Sequence, residues 1–461
     1  MSEAVREKKL PGFRKYKPYP AYKDSGVEWL GEVPAHWEVK KIKHTTYVKG
    51  RIGWQNLRTE EFVDEGVLCI TGTDFNVNSG MVNFKEAYRV SEERYNQDPY
   101  IQLKENDLLI TKDGSIGKVA LVKGLHEKAT LNSGIFVTRP LNKNYLQEYM
   151  YWVLNSIVFT SFINYLSSGT TIKHLYQNIF QEFVYPLPDY NEQMSISFFL
   201  DRETAKIDAL IAKQVRLIEL LQEKRTALIT RAVTKGLDPD VPMKDSGVEW
   251  LGEIPAHWKV KPLKAVAFVN PETLAEDTDP DYEFDYIEIT DVNFDGSISG
   301  KEFMYFNNAP SRAKRKVIQG DIIISTVRTY LKAIALIKES NTRELIVSTG
   351  FAVLRNKDKG ELENEFLWRL VQSSIFVEKV VSYSEGVSYP AITPYVLGTL
   401  PIWFPPPTEQ KEIVLFLNRK IGKIDYLTSK VHKSIELLKE HRTALISAAV
   451  TGKIDVRREV P

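Results

Sequence analysis

Along two long stretches of the chain, apolar side chains recur at alternating steps of four and three residues. One seam runs through Ile207, Ile211, Gln214, Ile218, Leu221, Arg225, Leu228 and Ala232; the other runs through Ile424, Thr428, Val431, Ile435, Leu438, Arg442, Leu445 and Ala449. Such spacing keeps one face of an α-helix turned toward a helical partner. Two long helices are therefore predicted, over 192–238 and 409–455. Prolines precede each, at Pro186-Leu187-Pro188 and Pro405-Pro406-Pro407. Asn191 and Thr408 are the expected N-caps, because their side chains can accept the free N–H groups of a first turn. Glu192 and Glu409 place negative charge at the positive end of the helix dipole. Gly236 and Gly452 suit left-handed C-terminal caps. One narrow seam per helix predicts that the two helices pack on each other rather than each on its own globular neighbour. Arg225 and Arg442 lie in the seams, so each must reach out or meet an acid.

Outside the helices the pattern shortens. Tyr282–Thr290, Asp321–Thr326 and Lys118–Val122 alternate as strands, Tyr145–Leu166 reads as a helix, and Gly and Asn mark turns. The organisation comes from an internal repeat. Residues 23–44 and 244–265 match at 17 of 22 positions at an offset of 221, and 192–238 match 409–455 at 25 of 47 positions at an offset of 217. Between these blocks only landmarks align: Asp107-Leu108-Leu109-Ile110 with Asp321-Ile322-Ile323-Ile324, Ser133-Gly134 with Thr349-Gly350, and Pro188 with Pro405. The reading is an N-terminal extension (1–22), a globular domain (23–191), a helix (192–238), a second globular domain (239–408), a second helix (409–455) and a tail (456–461). The fold class is mixed α/β: two globular domains joined by two long antiparallel coiled-coil helices in a pseudo-two-fold repeat. The uncharged run 149–166 is long enough to raise a membrane span. Its counterpart, 366–383, carries Arg369, Glu378 and Lys379, which argues for a helix packed in protein instead.

Composition adds exclusions. The 461 residues carry a net charge of +1, 43% hydrophobic and 26% charged residues, as in an ordinary globular protein. Bulk charge thus gives no argument for nucleic acid, and any basic face must be local. The lone Cys69 excludes a disulfide framework and a cysteine-based zinc site, and fits a reducing, cytoplasmic setting. The basic N-terminus lacks the apolar core of a signal peptide. No phosphate-binding or dinucleotide glycine motif occurs. The seven histidines, His36, His44, His126, His174, His257, His432 and His441, are scattered without metal-ligand spacing. His36 and His257 recur before tryptophans, which points to packing. Asp281, Glu283 and Asp285 lack the lysine of a nuclease site. Phe404-Pro405-Pro406 only loosely resembles the Pro-Pro-aromatic loop of amino-methyltransferases. No catalytic residue, no metal ligand and no cofactor bound by this chain are expected.

The local basic face is sought in loops. Residues 309–332 carry Arg312, Lys314, Arg315, Lys316, Arg328 and Lys332 against the single acid Asp321, with Thr326, Thr329 and Tyr330 among them. Positive charge beside hydroxyls suits phosphates, and Arg328 suits a guanine edge. The equivalent stretch of the first copy sets Lys112, Asp113, Ser115 and Lys118 around Gly114 and Gly117, whose backbone can approach a ligand closely. A second loop pair is 167–174, with Thr170, Thr171, Lys173 and His174, against 384–391, with Ser388 and Tyr389. Arg51, Trp54 and Gln55 complete the candidate DNA contacts. The helix segment Ile207–Ala232 spans roughly 39 Å, about one turn of B-DNA.

These features together resemble the specificity subunit of type I restriction–modification systems. The resemblance rests on the duplicated KDSGVEWLGE-[VI]-P-A-H-W opening at 23–37 and 244–258, the Pro-rich segment followed by Glu-Gln at 192–193 and 409–410, the R-T-A-L-I helix ends at 225–229 and 442–446, and DIIISTVR at 321–328. It implies a non-catalytic subunit reading an interrupted, asymmetric double-stranded DNA target, each domain one half, with the helices setting the gap. It also implies two methyltransferase partners and, through them, two restriction/translocase subunits, with S-adenosylmethionine, ATP and Mg2+ used by those partners, and no membrane. The competing reading is a non-catalytic protein-binding scaffold with duplicated domains, which would need no basic loops.

Overall fold

The computed structural model describes residues 16–51, 57, 59–76, 79–166, 174–338, 343–357, 360–386 and 388–459. The chain divides into two compact units, Met1–Gln214 with Lys433–Pro461, and Val215–His432. Each long helix therefore gives one half to each unit.

In the first unit a six-stranded sheet is ordered Thr46–Gly50, Ile135–Pro140, Leu108–Thr111, Val119–Leu121, Met81–Val82 and Phe75–Asn76. A four-stranded sheet, Ala129–Leu131, Val67–Ile70, Tyr88–Val90 and Phe62–Val63, completes the variable part. The second unit holds two four-stranded sheets, Ala267–Val269, Phe351–Asn356, Ile322–Ser325, Ile334–Leu336, and Glu302–Tyr305, Glu283–Ile287, Glu344–Ser348, Ala313–Val317. In both units the all-buried landmark strand, Leu108–Thr111 or Ile322–Ser325, is central.

The aspartates before these strands explain the landmark. Asp107 accepts from Arg139 Nε at 2.7 Å and Nη2 at 2.6 Å, and from the Lys104 N–H at 2.8 Å. Asp321 accepts from Arg355 Nε at 2.9 Å and Nη2 at 2.8 Å, and from the Ile318 N–H at 2.9 Å. Both carboxylates are buried. A buried charge with its lone pairs filled by a guanidinium fork and an amide is tolerated; stripped of that fork it would be costly.

The predicted helix 145–166 is two helices, Gln147–Leu154 and Ile157–Leu166. Ser156 interrupts them, its hydroxyl donating to the Val153 carbonyl at 2.6 Å; Ser373 does the same to Leu370 in the second unit, also at 2.6 Å. Among the described residues no helix is long and apolar enough to cross a membrane.

The long helices are Tyr190–Lys235 and Pro407–Val450. The first is capped by Asp189, which accepts from the Glu192 N–H at 2.9 Å, and not by Asn191. In the second, Pro407 takes the first helical position and Thr408 falls inside the helix. Gly236 and Gly452 follow the helix ends with φ +71° each.

Every seam position is buried or half-buried, including Ile207, Ile211, Ile218, Leu221, Leu228, Ile424, Val431, Ile435, Leu438 and Leu445. In the first unit Ile207 shares a core with Leu445, Ile446 and Ala449, and Gln214 Nε2 donates to Ser434 Oγ at 3.0 Å. In the second, Ile229 and Val233 share a core with Ile413, Leu417 and Ile421. Early residues of one helix thus meet late residues of the other, which is antiparallel pairing. Both seam arginines meet an acid of the opposite helix. Arg442 binds Asp208 at 2.9 and 3.2 Å, and Arg225 Nε lies 3.5 Å from Asp425 Oδ1. Near the helix ends the buried stripe widens to Ile196, Phe199, Leu200, Ile229, Val233, Ile446 and Val450, so there each helix also packs on its globular neighbour.

The repeated Pro-Ala-His-Trp box is a clamp on these helices. In the first unit Trp37 Nε1 donates to Glu192 at 2.8 Å and His36 Nε2 lies 3.0 Å from the same carboxylate. In the second, Trp258 Nε1 donates to Glu409 at 3.1 Å and His257 Nε2 lies at 2.6 Å. The neighbouring glutamines tie back the preceding loops. Gln193 accepts from the Leu146 N–H and donates to the Pro188 carbonyl; Gln410 accepts from the Glu363 N–H and donates to the Pro405 carbonyl. The Glu-Gln repeat is thereby accounted for as structure.

Candidate nucleic-acid interface

Both units build the same loop assembly at the end of the central strand. In the first, the Lys112 N–H donates to the Gly134 carbonyl and the Leu175 N–H to the Lys112 carbonyl, both at 2.8 Å, and Asp113 bridges His174. In the second, the Thr326 N–H donates to the Gly350 carbonyl at 2.7 Å and the Ile392 N–H to the Thr326 carbonyl at 2.9 Å, while Val327 bridges Ala391. In the second unit the two loops singled out by their polar residues are thus brought together, and in the first His174 and Leu175, the described end of its second loop, meet the strand-end loop; the Ser133-Gly134 or Thr349-Gly350 turn lies beside them.

The loops share a backbone course. Gly114 and Gly117 have φ +66° and +85°, and Arg328 and Lys332 have φ +53° and +54°. The loop is closed by Thr111 N–H to Lys118 carbonyl in one unit and by Ser325 N–H to Ala333 carbonyl in the other, each 2.9 Å. The second loop is therefore one residue longer.

The side chains differ. In the first unit Lys112 is buried, its ammonium 3.2 Å from Asp113 Oδ2 and over the Phe136 ring. His174 Nδ1 hydrogen-bonds Asp113 Oδ1, and its ring packs on Tyr176. Ser115 and Lys118 are exposed. In the second unit the Arg328 N–H donates to the Pro390 carbonyl at 2.8 Å, and its guanidinium lies 4.6 Å from the centre of the Tyr389 ring. Arg328 and Tyr389 line a cleft of about 390 Å³ with Glu288, Arg312, Thr349 and Gly350. Tyr330, Lys332, Ser388 and Tyr389 are exposed, and Lys332 approaches Phe294.

Several expected contacts are placed elsewhere. Arg51 is buried, with its Nε donating to the Leu131 carbonyl at 2.9 Å, and burial lowers the proton affinity of its guanidinium. Thr326 and Thr329 are buried, their hydroxyls holding Gly350 and Ser384. The run of bases at 312–316 is not one free basic face. Ala313–Val317 is a strand with a bulge between Ala313 and Arg315, and groups distant in sequence engage its bases. Arg312 pairs with Glu288, Lys316 lies 3.0 Å from Glu344, Lys314 sits over Phe306, and half-buried Arg315 donates to Thr273. Trp54, Gln55, Thr170, Thr171 and Lys173 lie outside the described residues.

One element of the assembly was not singled out from sequence. A single 3-10 turn, Gly72–Asp74 in the first unit and Ile289–Asp291 in the second, flanks each loop pair. Asp74 and Asp291 cap these turns, accepting from the Thr71 N–H at 2.7 Å and the Glu288 N–H at 2.8 Å. Its signal is the recurrence of Ile-x-x-Thr-Asp-x-Asn at 70–76 and 287–293, at the same offset as the helices.

The comparisons with known proteins point one way. The type I restriction modification DNA specificity domain matches residues 34–220 and 255–437. The type I restriction enzyme MjaVIII specificity subunit of Methanocaldococcus jannaschii is 25% identical over 447 residues, 92% of this chain and 94% of that protein. The EcoBI specificity subunit of Escherichia coli is 22% identical over 358 residues, 76% of this chain and 73% of that one. A solved chain from work on complex assembly and conformational transition of the type I R-M system superposes with a TM-score of 0.61 at 17% identity, covering 92% of this chain and 99% of that one. A protein-binding scaffold is not favoured. The matched domain occurs twice, once over each copy of the repeat, and together the matches take in most of the sequence: the chain belongs to the type I restriction–modification DNA specificity family.

Proposed function

We propose that each unit reads one half of an interrupted DNA target, and that the two halves differ in sequence. The observation that carries this reading is the shared loop assembly: one backbone course, built twice, with different side chains on it. In the first unit Asp113, Ser115, Lys118 and His174 are the contacts; in the second they are Arg328, Tyr330, Lys332, Ser388 and Tyr389. The chain has no catalytic role of its own. It docks two methyltransferase subunits and, through them, two restriction/translocase subunits, which bring S-adenosylmethionine, ATP and Mg2+ to the DNA in the cytoplasm. Exposed apolar residues recur at equivalent positions of the two helices, Phe198 and Leu415, Leu210 and Leu427, Leu220 and Leu437. A surface offered twice suits two copies of one partner.

The test is to map methylated adenines in a genome carrying this chain with its methyltransferase partner. An interrupted target with two unrelated halves is expected. Replacing residues 45–191 should then change one half only. No methylation pattern, or a change in both halves, overturns the reading.

A further inference from the structure

We propose that the first left-handed position of each loop, Gly114 in the first unit and Arg328 in the second, is a specificity-determining position for its half-target, and that Arg328 reads a guanine. The inference rests on the DNA-reading function proposed above and names its chemistry.

Four observations carry it. The positions are equivalent, because the hydrogen bonds that pin both flanks of the loop are the same in both units. A side chain with a Cβ enters the left-handed region at a cost, so Arg328 at φ +53° keeps a strained backbone where glycine stands in the other copy. Among the described residues, none of the Arg328 side-chain N–H groups meets a protein acceptor, and Glu288, the carboxylate lining the same cleft, is engaged by Arg312. Finally, the guanidinium packs on the Tyr389 ring, 4.6 Å from its centre, and both side chains line the same open cleft.

A planar fork with unfilled donors suits a pair of acceptors. Two such pairs exist on DNA, the O6/N7 edge of guanine and the oxygens of a phosphate. A phosphate can be met by a flexible cation, with no need of a fixed fork, whereas a base edge demands a set direction. The strained backbone, the Pro390 hydrogen bond and the Tyr389 contact fix that direction. A Cβ at Gly114 would meet nothing within 4 Å among the described residues, so a side chain can start there at the same left-handed strain that Arg328 carries.

The experiment compares the unmodified chain with Arg328→Gly, Gly114→Arg and Gly114→Asn, each assembled with the methyltransferase partner. Methylated sites are mapped, and duplex binding is measured with each guanine of the second half-target replaced in turn by 7-deazaguanine, which lacks N7. The unmodified complex should lose about 10- to 100-fold at one such guanine. Arg328→Gly should be indifferent there, accept other bases at that position and keep the first half unchanged. Gly114→Arg should acquire a guanine requirement at one position of the first half; if that variant does not assemble, Gly114→Asn decides by acquiring an adenine preference. Retention by Arg328→Gly of the loss that the unmodified complex shows at that guanine, a second half without a G·C pair, or an unchanged first half in an assembled Gly114 variant overturns the proposal. A uniform loss with a shallower salt dependence assigns Arg328 to phosphate and also overturns it. Failure of the broader reading looks different, since the unmodified complex would then mark no interrupted target at all.

Discussion

Gly452 shows what a single residue holds together. It ends the second long helix at φ +71°, and a Cβ there would sit 2.3 Å from the Pro34 ring and 3.1 Å from Trp37. Replacing it by alanine adds left-handed strain to a clash with a clamped ring. Gly452→Ala should destabilise the protein by about 2–4 kcal/mol. Gly247→Ala is the control, because at φ +72° it meets nothing within 4 Å and carries the strain alone, about 1–2 kcal/mol. Denaturant midpoints of the two variants check the difference. Glu192 offers a second comparison. Its side chain is 4% exposed and receives Trp37 Nε1, whereas the Glu409 side chain is 27% exposed. Glu192→Ala leaves a buried indole N–H unpaired and should cost about 2–3 kcal/mol, more than Glu409→Ala. Equal losses would mean that the clamp does not depend on burial. The clamp's parts were legible in the sequence as repeated words, Pro-Ala-His-Trp and Glu-Gln. That they touch was not legible, because the partners lie more than 150 residues apart and neither word states its contact. Arg51 follows the same logic: a polar residue beside a glycine suits a surface, and only the strand at Leu131 that receives its N–H places it inside.

At the scale of elements, the long helices were legible because a 3.5-residue repeat sustained over several turns has few other meanings. Their edges were less so. Asp189, between Pro188 and Tyr190, competes with Asn191 for the cap, and the chain's turn after Pro188 decides in favour of the aspartate. The basic run at 312–316 does not form one free face; a charge count along the sequence ignores the bulge in its strand and the groups that lie across from it. Asp201 on the first helix gives a test that depends on pH. Its residue is exposed to solvent, but the carboxylate accepts from Trp152 Nε1 at 3.0 Å; partial desolvation of that carboxylate first, and Glu148 nearby, raise its pKa above the ordinary aspartate value of about 3.9 against the opposing pull of the Trp152 bond. The folded state then holds this proton more tightly than the unfolded state does. Stability from this group is therefore fully present below pH ~4 and is lost as pH rises through the folded value. Asp201→Asn, which can still accept from Trp152, should raise the melting temperature at pH 7 and leave it little changed below pH ~4. A variant equally shifted at both pH values would show that ionisation of Asp201 plays no part.

For the whole molecule, the duplicated layout was legible from two blocks of identity, while the variable parts matched too weakly for their sheets to be aligned beyond a few landmarks. The seams that join the blocks lead to the last prediction. Contacts between the helices pair residue 208 with 442, 214 with 434 and 225 with 425, so Leu221 lies opposite the neighbourhood of Thr428. Seven residues that continue the seam, inserted after both Leu221 and Thr428, would keep the four-three stripe in phase on both helices. Each helix would lengthen by ~10 Å at ~1.5 Å per residue. That length is about three base pairs at ~3.4 Å each, and three base pairs turn the duplex by about a third of its helical repeat. With the helices as the ruler, the two half-targets should keep their sequences while the gap between them grows by about three base pairs, or binding should be lost because the rotation is not absorbed. Insertion into one helix only takes Arg225 or Arg442 away from its acid partner and slides one seam past the other. It should lower thermal stability instead of changing the gap. Methylated-site maps and melting curves of the single and double insertions separate these outcomes. Recognition of the original gap at full affinity by the double insertion would show that helix length does not set the spacing.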